Sequence, residues 1–182
     1  MKKVRAKVYI DGANMFYTQK SIGWSIEWKS TINFLKKKFD ILEMRYYTGI
    51  RKNDQKMNQY LSILRQLKIK TIAKPLKIIK DRSSGRIIYK SNCDVEIAVD
   101  IMLDIDSFDT LILFSGDSDF VYLIKILQKS YQKKTFIISS RKTISWEIKI
   151  SASSYLFLED YKKEFERIKK NPRKKRGAVK HK

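Results

Sequence analysis

The sequence has 182 residues, 43% of them hydrophobic, and its 40 Lys and Arg against 19 Asp and Glu give a formal net charge of +21. That length and apolar content suffice for one sizeable core plus a tail, but not for two independent cores. Cys93 is the only cysteine and His181 the only histidine, which excludes an internal disulfide and a Cys/His zinc cluster and disfavours Cys-His or Ser-His nucleophilic chemistry.

The first half of the chain alternates short apolar strands with amphipathic helices. The segments "KVYIDGAN" (7–14) and "EMRYYTG" (43–49) are predicted to be strands that end at Gly-containing turns. Between them, "WKSTINFLKKKF" places its apolar residues on one helical face, and "DQKMNQYLSILRQLK" repeats that pattern further on. A strand "KTIAK" and a hairpin "KIIKDRSSGRIIYK" follow, with the hairpin turn at Ser83, Ser84 and Gly85.

The second half continues the alternation. It predicts a helix "DVEIAVDIML", a strand "DTLILFSG", a helix "DSDFVYLIKILQK", a strand "KTFIIS", a short helix "TISWEIKIS" and a strand "SYLFLED". Strands that alternate with helices, several of them continuous apolar runs, predict an α/β fold: a three-layer α/β/α sandwich around a central, mainly parallel sheet. Residues 1–160 are expected to form this domain. Residues 161–182 are expected to form a basic tail that is disordered from Arg167 onward, where nine Lys and Arg occur without an acid.

Carboxylates gather in one region of this basic chain. Between Ser91 and Ile124 there is no Lys or Arg, yet eight of the 19 acids lie there. Asp11 and Asp117 directly follow apolar strands, so both are expected at the carboxyl edge of the sheet, where parallel sheets bind ligands. Acids brought together without a cation repel one another, and a divalent metal would relieve this. Oxygen donors without His or Cys favour Mg²⁺ or Mn²⁺.

Plainer interpretations of these acids stay open. Asp104, Asp106 and Asp109 in "LDIDSFD" are typical of a solvated loop. Glu96, Asp100 and Asp104 share one helical face, which is also typical of an ordinary surface.

Three further polar residues have structural alternatives. Asp94 and Asp119 each begin a predicted helix, where an acid is stabilised by the helix dipole. Asn14 follows Asp11 by three residues and could shape a turn, or hold a water or a phosphate beside a metal.

Three separated segments resemble, in order, the signatures of the NYN domain family, also called LabA-like, in the PIN-like nuclease superfamily. The segment "YIDGANMF" matches its Asp-x-x-Asn element through Asp11 and Asn14. The segment "KSNCDVEIAVD" matches its Lys-x-x-x-Asp element through Lys90, Asp94 and Asp100. The segment "FSGDSDF" matches its Ser-Gly-Asp-Ser-Asp-Phe element through Ser115, Asp117 and Asp119. The resemblance implies a parallel sheet with helices on both sides, a carboxylate cluster that binds Mg²⁺ or Mn²⁺, and ribonuclease activity as in characterised relatives.

The resemblance and the residues together predict a metal-dependent nuclease, with RNA rather than DNA as the expected substrate. One or two metal ions would be held by Asp11, Asp94 and Asp117, with Asp119 and Asp100 assisting. Asn14 and Ser115 would orient water or phosphate. Lys90, Arg141 and Lys142 are candidates to hold the substrate backbone, with solvated surface as the alternative for each.

Two rival functions fit the same sequence. One is a nucleic-acid-binding protein without catalysis, in which the acids are vestigial or regulatory. The other is a phosphotransferase or phosphatase, against which stand the lack of an Asp-x-Asp after the first strand and of a GxxxxGK[ST] phosphate loop.

Charge and hydropathy also predict partners and location. The net charge of +21 attracts polyanions such as nucleic acid, although a Lys-rich composition could also produce it. The apolar runs are far shorter than the roughly 20 residues of a transmembrane helix, and Asp11 interrupts any signal-peptide core. The protein is therefore expected in the cytoplasm, without a membrane partner.

Overall fold

Six parallel strands form the central sheet of the protein. The structure is a computed structural model that describes residues 2–80, 87–90 and 92–168, with side chains outside 77–91. The sheet has the order β3-β2-β1-β6-β7-β8. Its strands are β1 (Val4–Asp11), β2 (Phe39–Ile50), β3 (Lys70–Pro75), β6 (Thr110–Phe114), β7 (Lys134–Ser139) and β8 (Ser154–Phe157).

A separate antiparallel pair connects the two halves of the chain. It consists of β4 (Lys77–Lys80) and β5 (Ile87–Lys90), in which Lys77 faces Lys90. This pairing agrees with the predicted hairpin, whose turn at Ser83, Ser84 and Gly85 lies outside the described residues.

Helices cover both faces of the sheet, and alternate residues of the strands point to opposite sides. The helices are α1 (Gly12–Ile22), α2 (Trp28–Lys38), α3 (Gln55–Gln66), α4 (Asp94–Leu103), α5 (Val121–Lys129), α6 (Trp146–Ser151) and α7 (Lys162–Phe165). On one face of the sheet, Val8 and Ile10 of β1 share a core with α1, α2, α3 and α7. On the other face, Leu111 and Leu113 of β6 share a core with α4, α5 and α6. The predicted three-layer α/β/α fold is therefore confirmed.

The strand order places a switch point between β1 and β6. From β1 the chain runs outward through β2 and β3 on one side, and from β6 it runs outward through β7 and β8 on the other. In open parallel sheets, ligands bind outside the carboxyl ends of the two strands that flank such a point. Asp11 ends β1 and Asp117 follows β6, so both candidate ligands lie there.

Helix α1 begins where the sequence predicted a turn. The Asp11 carboxylate accepts a hydrogen bond from the Asn14 N–H at 3.0 Å and so caps the helix directly after the strand. A side chain could not replace Gly12, because its Cβ would lie 2.5 Å from the Tyr47 carbonyl oxygen. The tight packing of α1 on β2 therefore depends on glycine at this position.

The folded part continues beyond residue 160, where the sequence analysis placed the start of the tail. Phe165 is fully buried, and its ring centroid lies 5.0 Å from that of Phe34. The Glu27 N–H donates to the Phe165 carbonyl at 2.7 Å, and the Arg167 N–H donates to the Ser25 carbonyl at 2.8 Å. Residues 169–182 lie outside the described part.

Among the helices of the described residues, none combines the length and the apolar composition needed to cross a membrane.

Candidate metal centre

Asp11 is the most enclosed of the acids predicted to form the site. Its side chain is buried, at 5% exposure, between the end of β1 and the start of α1. One carboxylate oxygen accepts from the Asn14 N–H, and the other accepts from the Ser115 hydroxyl at 3.2 Å. Burial raises the pKa of Asp11 and the charge of Asp117 adds to that effect, while these hydrogen bonds oppose it.

The loop after β6 is fastened to Asp11 and to α1. The Asp117 N–H donates to the Ser115 hydroxyl at 3.2 Å, and the Gly116 N–H donates to the Asn14 side-chain oxygen at 3.1 Å. A Cβ on Gly116 would lie 2.3 Å from the Thr143 carbonyl oxygen, so this loop also packs closely on the segment after β7. The backbone between Ser115 and Asp117 is thus held from both sides.

Three carboxylates converge beside this loop. Asp94, Asp117 and Asp119 each offer an oxygen, and these oxygens lie within 4.8 Å of one another. The Asp94 N–H donates to the Asn92 side-chain oxygen at 2.9 Å, and the Asp119 N–H donates to the Asp117 carboxylate at 3.1 Å. The start of α4 and the loop after β6 therefore build the cluster together.

The environment of the cluster opposes the ionisation of Asp94. Burial raises its pKa to about 6, and repulsion from Asp11, Asp117 and Asp119 acts in the same direction. Among residues 2–76 and 92–168, whose side chains are described, no Lys or Arg forms an ion pair with these four acids. An all-oxygen donor set with excess negative charge fits a divalent cation such as Mg²⁺ or Mn²⁺.

Asp100 lies on α4 but has other partners. Its carboxylate accepts from the Tyr47 hydroxyl at 2.7 Å and forms an ion pair with Arg45 at 3.2 Å. Asp104, one turn further on, is 2.7 Å from Arg45 and 3.0 Å from Lys7. The structure does not bring Asp100 into the group of three acids.

The expectation of an uncompensated acidic region is wrong for four of its acids. Besides Asp100 and Asp104, Glu96 pairs with Lys74 at 2.6 Å and Asp109 with Arg5 at 2.9 Å. Asp104 is also not a solvated loop residue: although burial raises its pKa, hydrogen bonds from Tyr9 and Lys7 outweigh that effect and lower it. The cations come from β1, β2 and β3, far away in sequence.

The predicted substrate-binding cations lie in different settings. Arg141 forms an ion pair with Asp160 at 2.6 Å, and its guanidinium lies 4.2 Å from the centre of the Phe157 ring. The Lys142 ammonium donates to the Ser21 carbonyl at 3.1 Å, which ties the segment after β7 to the end of α1. The side chain of Lys90 lies outside the described part.

Together, the parallel sheet and the carboxylates at its switch point define an α/β protein of the PIN-like type with a cluster able to bind a metal ion. The chain belongs to the NYN domain family, which matches residues 5–159. The resemblance noted in the sequence is thereby confirmed.

Two individual proteins are similar to this chain. The Low amplitude and bright protein LabA of Synechococcus elongatus is 29% identical over 169 residues, which cover 91% of this chain and 90% of LabA. The crystal structure of a protein of unknown function from Vibrio parahaemolyticus superposes with a TM-score of 0.75, at 23% identity, over 91% of this chain and 99% of that one. The second likeness concerns the fold alone.

Proposed function

We propose that this protein is a metal-dependent nuclease that hydrolyses phosphodiester bonds, with RNA as its substrate. The observation that carries the proposal is the convergence of Asp94, Asp117 and Asp119 beside the buried Asp11, at the switch point of an NYN-family sheet. Carboxylates in such numbers repel one another, and a bound divalent cation would relieve that repulsion.

The residues that would hold the ion are Asp94, Asp117 and Asp119. A bound Mg²⁺ or Mn²⁺ would lower the pKa of a water molecule and neutralise charge on a phosphodiester. Asp11, coupled electrostatically to Asp94 and Asp117, adds negative charge to the site. Its hydrogen bonds to Asn14 and Ser115 keep its carboxylate fixed.

Asn14 and Ser115 have different roles in this proposal. Ser115 is fully buried, donates to Asp11 and accepts from the Asp117 N–H, so it positions both acids and does not touch the substrate. The Asn14 side-chain oxygen accepts from the Gly116 N–H, and its amide nitrogen has no hydrogen bond within the described residues. We assign that nitrogen to a substrate phosphate, because an amide donor can bind phosphate without adding charge.

The substitution Asp117→Asn tests the catalytic role. It removes one charge from the cluster without a change of volume, and we expect Mn²⁺-dependent cleavage of labelled RNA to fall by about a hundredfold or more while the fold stays intact, since catalysis by a bound ion depends on its ligands. Asp106→Asn is the matched control, because Asp106 is an exposed acid outside the cluster.

The substrates are single-stranded RNA, single-stranded DNA and a generic phosphomonoester, each with Mn²⁺ and with chelator. Equal cleavage by the wild type and Asp117→Asn would contradict the proposal. A wild type that binds RNA but cleaves none of these substrates would instead identify a nucleic-acid-binding protein on the same fold.

A further inference from the structure

A cleft of about 660 Å³ opens beside the chain segment that directly follows Asp11. Its wall includes Gly12 and Ala13, the two residues that directly follow Asp11, and it extends from α1 across the end of β2 to α3. Tyr46 lines it as well and packs closely on Gly12, since a Cβ on Gly12 would lie 2.7 Å from the Tyr46 ring. Its volume is in the range of pockets for small ligands.

One wall of the cleft presents aromatic rings to solvent. Phe16 and Tyr17 on α1 are 60% and 65% exposed, and their ring centroids lie 5.4 Å apart in an edge-to-face arrangement. The same helix buries Met15 and Thr18, so the core is already filled without the two rings. Exposed neighbouring aromatics have no role in the packing of α1, whereas they are well suited to stack on a planar ligand.

The charges around the cleft favour an anionic ligand. Arg51 and Arg167 line it from the ends of β2 and of the folded chain. Among the described lining residues the one acid is Asp54, which is engaged at the start of α3, where its carboxylate accepts from the Met57 N–H at 2.9 Å. Aromatic faces combined with guanidinium groups are the surface on which single-stranded nucleic acids stack their bases and place their phosphates.

We propose that this cleft binds the unpaired bases of a single-stranded nucleic acid whose neighbouring phosphodiester lies at the carboxylate cluster. The inference rests on the proposed nuclease function and names the form of its substrate. Paired bases are stacked inside a duplex and cannot reach Phe16 and Tyr17. The protein therefore selects single strands over duplexes and tolerates different base sequences, because every base offers a flat face to an aromatic ring.

Binding measured in chelator tests this assignment without involving catalysis. Fluorescence anisotropy of a short labelled RNA, single-stranded or annealed, gives the dissociation constants of the full-length wild type and of the double variant Phe16→Ala, Tyr17→Ala. We expect single-strand affinity to fall by about fivefold or more, since stacking on one aromatic contributes a factor of this size, and duplex affinity to stay the same. Tyr131→Ala is the control, because Tyr131 is exposed and does not line the cleft.

A second variant, Phe16→Leu, Tyr17→Leu, keeps much of the apolar area but removes the rings, and it should lose single-strand affinity as well. Circular dichroism and the Mn²⁺-induced rise in melting temperature show that each variant is folded and retains its metal site. Single-strand affinity equal to that of the wild type in both folded double variants would overturn the assignment.

The two proposals fail separately. If the wild type cleaves RNA but the aromatic variants bind single strands as it does, the cleft is not the base-binding surface and the nuclease proposal stands. If the wild type cleaves nothing yet the aromatic variants lose single-strand affinity, the cleft assignment stands and catalysis does not.

Discussion

Asp94 experiences opposing influences at the start of α4. An acid in the first turn of a helix is normally stabilised by the helix dipole, which favours the ionised form. Here burial and three neighbouring acids outweigh that effect and raise its pKa to about 6. The metal-free protein therefore carries a carboxylate that is easier to protonate when folded than when unfolded, and this makes its stability depend on pH.

We predict that the contribution of Asp94 to the stability of the metal-free protein is lost as pH rises from about 4 to about 6. The folded-state pKa of Asp94, about 6, exceeds the ordinary value of 3.8, so the folded state binds the extra proton. The stabilisation is complete below the unfolded pKa and disappears as pH passes the folded one. In chelator near neutral pH, Asp94→Asn should then melt at a higher temperature than the wild type.

Added Mn²⁺ should reverse this order. An ion that binds only the folded state stabilises it by about 2.7 kcal/mol at a hundredfold excess over its dissociation constant. The metal-induced rise in melting temperature should therefore be larger for the wild type than for Asp94→Asn, with Asp106→Asn as the matched control. Thermal melts over this pH range, in chelator and in Mn²⁺, measure both effects; equal metal-induced shifts in the wild type and Asp94→Asn would show that Asp94 is not a ligand.

At the scale of single residues, the sequence predicts the acids of the site better than the cations that pair with the neighbouring acids. The motifs identify Asp94, Asp117 and Asp119 because each stands directly beside a strand end or helix start, and the structure brings the three together. Arg45 was missed, because it pairs with acids more than fifty residues away. A cation within the apolar strand "MRYY" is nevertheless a signal, since a buried arginine needs a carboxylate partner.

At the scale of elements, one arginine links strand β2 to helix α4. Arg45 is only 9% exposed, and its guanidinium lies 2.8 Å from Glu43, 3.2 Å from Asp100 and 2.7 Å from Asp104. Asp94 begins helix α4, Asp100 lies on it and Asp104 directly follows it, so this link also fixes the part of the cluster that α4 contributes.

We predict that Arg45→Met destabilises the protein strongly. The substitution keeps much of the side-chain volume but removes the one cation that pairs with Asp100 among the described residues and leaves Glu43 and Asp104 with Lys7 alone. Breaking a buried ion pair by removing one partner costs up to about 3–5 kcal/mol. Arg5→Met is the matched control: its ion pair with Asp109 is about half exposed, so we expect a much smaller loss of stability than for Arg45→Met.

Urea denaturation measures the free energy of unfolding of both variants. Similar values for Arg45→Met and Arg5→Met would show that the β2–α4 network does not hold the two elements together. If the network does position Asp94, Arg45→Met should also lower the Mn²⁺-induced rise in melting temperature.

Among the described elements, sequence reasoning did not find two helices, the short α7 beyond residue 160 and helix α1. Gly12 directly after a strand was interpreted as a turn, whereas the structure starts a helix there. Phe16 and Tyr17 are exposed, so the helix lacks a clear apolar stripe and its periodicity is weak. The capping residues could have identified it, because Asp11 caps its start and Gly23, with φ of 80°, ends it.

The whole molecule combines a strongly positive net charge with a negative centre. The formal net charge is +21, while the carboxyl edge between β1 and β6 gathers Asp11, Asp94, Asp117 and Asp119. The positive field attracts a polyanion at long range, but the acids repel a phosphate at short range. A divalent cation at the cluster resolves this conflict, so metal and nucleic acid should favour each other's binding in the proposed nuclease.

Residues 169–182, which we call the basic arm, carry eight Lys and Arg and no acid. They lie outside the described part of the chain. We predict that a chain ending at Ile168 binds single-stranded RNA more weakly and with a smaller dependence on salt. Each phosphate contact that is lost lowers the slope of log affinity against log salt by about 0.7 on single strands, because fewer counterions are released. Ending the chain at Ile168 keeps Arg167, which lines the cleft, and Phe165, which belongs to the core.

Anisotropy titrations over a range of salt concentrations, in chelator, measure the slope for the full chain, for the shortened chain and for a full-length variant whose eight basic arm residues are replaced by Gln. The last two should agree, because the effect depends on charge and not on chain length. The Mn²⁺-induced rise in melting temperature should be the same in all three, since the carboxylate cluster lies within the remaining domain. An unchanged salt slope in the shortened chain would show that the arm makes no phosphate contacts and that the folded domain alone provides the electrostatic attraction.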